Sequence, residues 1–147
     1  MFDASQEIAV IAPGEGEVLS VLGAPMIVKS QSETLFIAEH IVPPGYCAPP
    51  HVHDADEEAF CILEGRLTLF DGAAERLVGA GDVARFAAGV RHGFRNDTQA
   101  DVRFLVLCAP GVQALRMFRA LDSAARAEPL TPGLVGEIVS AYGVQMD

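Results

Sequence analysis

The chain has 147 residues, half of them hydrophobic, and a formal net charge of −10 at pH 7. This length and composition fit one folded domain with its own core and exclude an intrinsically disordered chain. The acidic balance argues against binding to nucleic acid or to anionic membranes, since both need a basic face. The sequence contains no run of about 18 apolar residues, and its first ten residues lack the basic-then-apolar plan of a signal peptide, so we expect a cytoplasmic protein.

Glycine and proline separate short runs of strand-forming residues along the first 110 positions. The predicted strands cover residues 16–22, 26–29, 34–42, 58–63, 66–70, 83–86, 91–95 and 102–108. We expect turns at residues 23–25, 71–72, 79–82 and 96–98, and a hairpin around Glu64-Gly65. Because the links are short, the pairing should be mostly antiparallel. The pattern predicts an all-β barrel or sandwich of eight or nine strands.

The pattern changes after Pro110. Apolar residues then recur at helical spacing up to Leu121, which predicts a first helix. A second helix is marked by Thr131 as N-cap, by a proline at its first position and by Gly143 at its C-terminal end. We therefore expect a barrel over residues 1–110 and a helical extension of the same domain over residues 111–147. The extension should pack on the barrel or on a partner subunit.

Three of the four histidines lie in two segments, residues 45–65, with glycine at both ends, and residues 81–96, which begin at Gly81 and end at Asn96. His51 and His53 are two residues apart, so on a strand both imidazoles point to the same face. His92 belongs to a different predicted strand, which closure of a barrel would bring to the pair. An isolated pair with this spacing is weak evidence for a metal site, because two surface histidines can produce it by chance. The clustering in a histidine-poor chain favours a metal site.

Glu58 is the candidate oxygen ligand, because it shares a strand face with Phe60 and Ile62. Glu57 lies on the other face and is the weaker candidate. Three imidazole nitrogens and one carboxylate suit Fe, Mn, Co, Ni, Cu or Zn, and the residue types do not choose among them. An octahedral site of this kind keeps two positions open for substrate and for water or dioxygen. In a tetrahedral zinc site the four ligands would fill the coordination sphere.

Several nearby residues have an ordinary structural interpretation. Cys47, close to the histidine pair, is a possible soft ligand, although a free cysteine is more often a small buried apolar residue. His40 is more consistent with a core or surface histidine than with a fifth ligand. Phe60, Phe94 and Phe104 are candidates for a substrate pocket, but aromatic residues on barrel strands usually belong to the core.

The two histidine segments resemble the two motifs of the cupin superfamily. The first, G-x5-H-x-H-x4-E-x6-G, is matched by Gly45, His51, His53, Glu58 and Gly65. The second, G-x5-P-x-G-x2-H-x3-N, is matched by Gly81, Gly89, His92 and Asn96, with Ala87 in place of the proline. The resemblance implies a double-stranded β-helix, which is a jelly-roll-like antiparallel barrel with C-terminal helices. It also implies one divalent transition metal ion per chain, held by His51, His53, Glu58 and His92.

Most of the chain after about Thr34 is similar to single-domain cupins related to quercetin 2,3-dioxygenase. That resemblance implies an oxidoreductase that uses dioxygen on a flavonol or another enolisable phenolic substrate, with Glu58 as both metal ligand and catalytic base. It also implies a homodimer. Small cupins include isomerases, epimerases, decarboxylases, cyclases and non-catalytic small-molecule-binding proteins, so those functions remain alternatives.

Overall fold

The computed structural model describes residues 8–146. Residues 1–7, which form most of the segment considered for a signal peptide, and residue 147 lie outside the described part. Within residues 8–146, neither helix is long and apolar enough to cross a membrane.

The described chain forms eleven strands and two α-helices. The strands are β1 (Glu17–Val21), β2 (Ala24–Gln31), β3 (Phe36–Val42), β4 (Cys47–His53), β5 (Glu57–Glu64), β6 (Arg66–Phe70), β7 (Glu75–Gly79), β8 (Val83–Phe86), β9 (His92–Arg95), β10 (Val102–Ala109) and β11 (Val144–Met146). The helices, α1 (Ala114–Ala127) and α2 (Pro132–Ser140), lie between β10 and β11.

The strands form two antiparallel sheets with one shared core. The six-stranded sheet has the order β1-β2-β3-β10-β5-β8, and the five-stranded sheet has the order β11-β4-β9-β6-β7. Alternate residues of the central strands are buried, as in β5, where Glu58, Phe60 and Ile62 point inward. Their side chains join those of the second sheet in a single apolar cluster. This architecture confirms the predicted all-β antiparallel barrel with C-terminal helices.

The predicted hairpin around Glu64-Gly65 is wrong. β5 pairs with β10 and β8 in one sheet, whereas β6 pairs with β7 and β9 in the other. Gly65 carries the chain from one sheet to the other with φ of 86°, and a Cβ added there would lie 3.0 Å from a side-chain methyl of Val102. The first turn also differs from its prediction. It consists of Leu22 and Gly23, both with positive φ, so β2 begins at Ala24.

A β-bulge in β4 sets which of its side chains face the barrel interior. Ala48 lies opposite Phe94 and His51 lies opposite His92, so three steps along β4 match two steps along β9. The extra residue falls at Pro49-Pro50, where the missing backbone N–H groups are tolerated. The bulge changes the alternation of the strand, so that Ala48 and then His51 point inward.

The helical extension returns to the barrel through β11, a strand that the sequence pattern does not predict. The Thr131 hydroxyl accepts a hydrogen bond from the Leu134 backbone N–H at 3.2 Å, which confirms it as the N-cap of α2. After α2, Gly143 with φ of 79° leads into β11, which pairs with β4. The Asp122 carboxylate of α1 accepts a hydrogen bond from the Ser20 backbone N–H at 2.9 Å. The extension therefore packs on the barrel, which is one of the two arrangements expected from the sequence.

Candidate metal centre

The candidate metal centre lies between the two sheets. His51 and His53 project from β4, and His92 projects from β9 directly opposite His51. Glu58 projects from β5 of the other sheet. One ligand atom from each of these four residues lies within 4.8 Å of every other. The structure thus brings together all four residues that the sequence marked as ligands, from three strands.

The atoms of this cluster face one another in the manner of a ligand set. His92 Nε2 lies 2.9 Å from Glu58 Oε1, and His53 Nε2 lies 3.4 Å from Glu58 Oε2. His53 Nε2 is buried and has no hydrogen-bond partner among the described residues. A buried imidazole nitrogen without a hydrogen-bond partner costs free energy, which a bound cation would offset.

Backbone carbonyls orient two of the imidazole rings. His51 Nδ1 lies 2.8 Å from the Pro49 carbonyl oxygen, and His92 Nδ1 lies 2.9 Å from the Val90 carbonyl oxygen. A carbonyl oxygen only accepts, so each Nδ1 carries a proton, which leaves Nε2 of each ring as the nitrogen that faces the cluster. His92 Nε2 donates to the Glu58 carboxylate in this structure, and it would offer its lone pair to a metal ion after losing that proton. This arrangement is typical of metal-binding histidines. The donor set therefore fits a divalent transition metal ion.

Burial and the charges of the cluster act on its ionisable groups. Burial lowers the pKa of His51 to about 4, so its ring is neutral at pH 7, as metal binding requires. Burial alone would raise the pKa of Glu58. The hydrogen bond to His92 and the charges of the three histidines outweigh that effect and lower it to about 2. Glu58 is therefore a carboxylate at neutral pH.

Comparison with known proteins agrees with this geometry. Residues 38–108 match the family model described as "Cupin domain". This segment begins in β3, ends in β10 and contains all four cluster residues. The fold is that of a cupin. No curated protein matches the chain.

Solved structures with the same cupin fold include proteins of different activities. KdgF from Halomonas sp. aligns with a TM-score of 0.65 at 16% identity, over 71% of this chain and 94% of that one. A predicted oxalate decarboxylase from Thermotoga maritima aligns with a TM-score of 0.62 at 23% identity, over 70% and 99%. A sugar phosphate isomerase of the cupin superfamily from Silicibacter pomeroyi aligns with a TM-score of 0.54 at 28% identity, over 61% of each chain.

The remaining positions of the cupin motifs hold the loops around the site. Asn96 is fully buried, and its side-chain amide donates to the carbonyls of Val42 and Ala100 at 3.1 and 2.8 Å. The Gly89 backbone N–H donates to the His53 carbonyl at 2.9 Å, which ties the β8–β9 loop to β4. Ala87 replaces the motif proline, yet its carbonyl still accepts the turn hydrogen bond from Val90 at 3.1 Å.

Other candidate ligands lie outside the cluster. Glu57 is exposed and forms an ion pair with Arg85 at 2.6 Å, as its position on the outward face of β5 predicted. Cys47 is exposed, because the bulge in β4 places it on the outer face. Cys108 is buried instead, and its Sγ lies 3.4 Å from Glu58 Oε2, where the thiol donates weakly to the carboxylate. No local sequence pattern indicates this contact.

A cavity with a volume of about 80 Å³ opens beside the metal centre. Phe60 and Phe94 line it, whereas Phe104 packs behind them against both rings. The wall is mostly apolar, and none of the described residues that line it is lysine or arginine. Part of it comes from the helical extension and β11, through Met117, Phe118, Leu121, Val135, Val139, Val144 and Met146.

The stacked ring of Phe86 should hold His92 in place. The two rings are parallel within 6°, and their centroids are 3.9 Å apart. We expect Phe86→Leu to weaken binding of Zn²⁺ by roughly tenfold, since groups behind a ligand typically contribute 10–100-fold to metal affinity. Competition with a chromogenic chelator measures this effect. Val83→Ala, at an exposed position of the same strand, is the control. Equal affinity in Phe86→Leu and the original protein would contradict the role of the stack.

Gly93 permits the close approach of three strands next to His92. A Cβ at this position would lie 2.7 Å from the Ala48 carbonyl oxygen and 2.9 Å from the Phe70 ring. We expect Gly93→Ala to lower the free energy of unfolding by about 2 kcal/mol, as overpacking of a tight interior does. Urea denaturation measures the loss. Gly79→Ala is the control, because the nearest atom to its added Cβ would be 3.7 Å away. A loss no larger than that of Gly79→Ala would contradict the prediction.

Proposed function

We propose that the protein is a metal-dependent cupin oxygenase that binds a small, largely apolar substrate through an acidic oxygen, such as that of a phenol or an enol. One observation carries the proposal: a site of three histidines and one carboxylate adjoins an apolar cavity whose described lining lacks lysine and arginine. Phosphorylated or polyanionic substrates are normally held by cationic side chains. A neutral aromatic substrate suits this cavity better.

The small size of the cavity favours a one-ring substrate over a larger one. Its volume of about 80 Å³ is well below the ~300 Å³ at the lower end of pockets for drug-sized ligands. A three-ring flavonol would fit only if α1, α2 or β11 moved away from the barrel. We therefore propose catechols and related enolisable phenols as the substrate class, in place of flavonols.

Each part of the site has a task in this proposal. A transition metal ion held by His51, His53, Glu58 and His92 would supply Lewis-acid stabilisation of the substrate oxygen and a route for electrons to dioxygen. Glu58 is ionised and accepts hydrogen bonds, so it can receive the proton of the substrate hydroxyl once its contact with His92 loosens. Phe60 and Phe94 offer flat apolar faces that position the ring and exclude water.

Oxygen uptake tests the proposal directly. The protein is reconstituted separately with Fe²⁺, Mn²⁺, Co²⁺, Ni²⁺ and Cu²⁺ and is mixed with catechol, 4-methylcatechol and 3-hydroxyflavone in an oxygen electrode. We expect uptake with at least one metal, with catechols preferred over the flavonol. Absence of uptake with every metal and substrate, in protein shown to bind both, would overturn the oxygenase proposal.

A non-oxidative reaction is the second candidate. It is supported by the functions named for two of the similar solved structures, an isomerase and a predicted decarboxylase. The same cluster could stabilise an enolate-type oxygen without consuming dioxygen. Substrate conversion by the Zn²⁺-loaded protein under argon would favour this candidate. Binding of substrate without conversion under any condition would favour a non-catalytic small-molecule-binding cupin.

A further inference from the structure

His40 is a buried polar side chain in the wall of the cavity, on the inward face of β3. It is 2% exposed, and its Nε2 has no hydrogen-bond partner among the described residues. It does not belong to the metal cluster. Leaving an imidazole nitrogen unpaired in an apolar interior is unfavourable, so a group that reaches this nitrogen from the cavity would gain a hydrogen bond that the protein alone does not satisfy.

The neighbours of His40 leave its nitrogen unsatisfied. The rings of Tyr46 and Phe104 have centroids 5.5 Å from the imidazole, and the Phe94 ring is 6.3 Å away. Tyr46 is the only one of these neighbours with a polar atom, and its hydroxyl donates to the Val21 carbonyl at 2.9 Å. The hydroxyl proton is thus engaged elsewhere.

His40 lies at the far end of the cavity from the metal cluster. β10 pairs with β3 on one side and with β5 on the other, and its residue Phe104 lies opposite both His40 and Ile62. His40 and Ile62 are therefore at the same level of the sheet. Ile62 is two inward positions beyond Glu58 along β5, with Phe60 between them. Both Glu58 and His40 line the same cavity. A molecule lying over Phe60 would therefore extend from the ligand cluster toward His40, and a small movement of the surrounding side chains would expose the His40 nitrogen to it.

The surroundings of His40 define the charge of the group it would bind. Burial lowers its pKa to about 4 and outweighs the opposite effect of Glu58, so the ring is neutral at pH 7 and carries one donor and one acceptor nitrogen. No lysine or arginine is among the described residues of the cavity wall. A carboxylate or phosphate would be poorly compensated there, whereas an uncharged hydroxyl or carbonyl would be bound well.

We propose that His40 is a specificity-determining residue, which binds an uncharged hydroxyl or carbonyl group at the end of the substrate opposite its acidic oxygen. The inference rests on the proposed function only in placing the acidic oxygen of the substrate at the metal centre. It narrows the substrate class to one-ring phenols or enols that carry a second, neutral polar group across the ring. Phe60 and Phe94 contact the apolar middle of such a molecule.

The first experiment uses metal-free protein, so that its result does not depend on the metal, and it reads the His40 ring directly. Benzyl alcohol and toluene, which lack a metal-binding oxygen pair, are titrated into protein labelled with ¹⁵N at histidine. We expect benzyl alcohol to shift the His40 ring resonances, assigned with His40→Phe, and toluene to leave them nearly unchanged at matched occupancy. Identical responses to the two compounds would overturn the proposal.

The second experiment adds the metal. Protein loaded with Zn²⁺, which is redox-inactive, is titrated calorimetrically with 4-(hydroxymethyl)catechol and with 4-methylcatechol. We expect the hydroxymethyl compound to bind about tenfold more tightly, as one hydrogen bond to a buried partner allows. His40→Phe should show no preference between the two compounds and should bind 4-methylcatechol at least as tightly as the original protein does. His40→Gln should retain part of the preference for the hydroxymethyl compound. Met26→Leu, at the position paired with His40 on β2, should keep the preference.

The two experiments separate failure of the inference from failure of the proposed function. If the catechols bind but His40→Phe keeps the same relative affinities for the two compounds as the original protein, the role of His40 is overturned and the metal-centred function stands. Catechols that do not bind, together with a benzyl alcohol response at His40, would overturn the proposed function and support the site at His40. If His40→Phe does not fold, the ligand preference of His40→Gln and the resonance shifts of the original protein test the role of His40.

Discussion

Glu58→Gln should abolish turnover and weaken metal binding while leaving the fold intact. The amide has the shape of the carboxylate but no negative charge, and it can no longer accept hydrogen bonds at both oxygen positions. We expect the turnover rate to fall about a thousandfold, within the range that general-base groups contribute. We expect Zn²⁺ affinity to fall by at least about a hundredfold, because Glu58 is itself a ligand and loss of a residue behind the ligands already costs about 10–100-fold. Oxygen uptake and chelator competition measure the two effects.

Glu57→Gln is the matched control for this experiment. It removes the same charge one position away, from an exposed side chain paired with Arg85 on the outer face of the barrel. We expect turnover and metal affinity within about twofold of the original protein, since exposed ion pairs contribute little. If both variants lost activity equally, the loss would come from net charge, and Glu58 would have no special role.

The second large effect is a pH dependence of stability that originates at His40. Its pKa is about 4 in the folded protein and 6.5 in the unfolded chain, because burial disfavours the charged ring. Between pH 6.5 and pH 4 the unfolded state binds more protons, so the free energy of unfolding decreases as the pH falls through this window. The difference of about 2.5 pH units corresponds to about 3 kcal/mol, at 1.36 kcal/mol per unit. This is a large part of the stability of a domain.

Urea denaturation of the metal-free protein at pH 7 and pH 5, with chelator present, measures this dependence. Comparison with His40→Phe isolates it, since both proteins keep Glu58 and the three histidines of the cluster. We expect the original protein to lose about 2 kcal/mol more than His40→Phe between these pH values, because the unfolded chain is largely protonated at pH 5. Parallel losses would show that His40 titrates normally in the folded protein.

The candidate site was predictable from the sequence because its signals are local. Alternation along a strand placed His51 with His53 and turned Glu58 toward Phe60. The same rule placed Glu57 outside. The approach of His92 depended on the barrel, which the cupin-like glycine and asparagine positions indicated. The contact between the Cys108 thiol and Glu58 could not be predicted from local patterns, since it depends on the register between β5 and β10.

The incorrect parts of the prediction depend on contacts distant in sequence. Glu64-Gly65 has the composition of a hairpin turn, and only the partners of β5 and β6 reveal a crossing between sheets. β7 is an edge strand with Leu77 exposed, so it lacks the alternation that marks a half-buried strand. β11 has three residues, and its pairing with β4 defines it.

The bulge in β4 shows how one residue changes an interpretation. Cys47 was a candidate ligand because it lies close to the histidine pair, and by simple alternation it would also face the same way as His51 and His53. The extra residue at Pro49-Pro50 reverses the alternation, so Cys47 lies on the outer face. A proline pair next to a predicted metal-binding strand is a signal that could have raised this possibility.

The division of the cavity wall between barrel and extension makes the protein a convenient scaffold for enzyme redesign. The four candidate metal ligands all project from barrel strands, whereas one side of the cavity is built by Met117, Leu121, Val135 and Val139 of the two helices. A library of smaller residues at these four helical positions would enlarge the cavity without altering a ligand. Acceptance of larger substrates could therefore be selected independently of the metal chemistry.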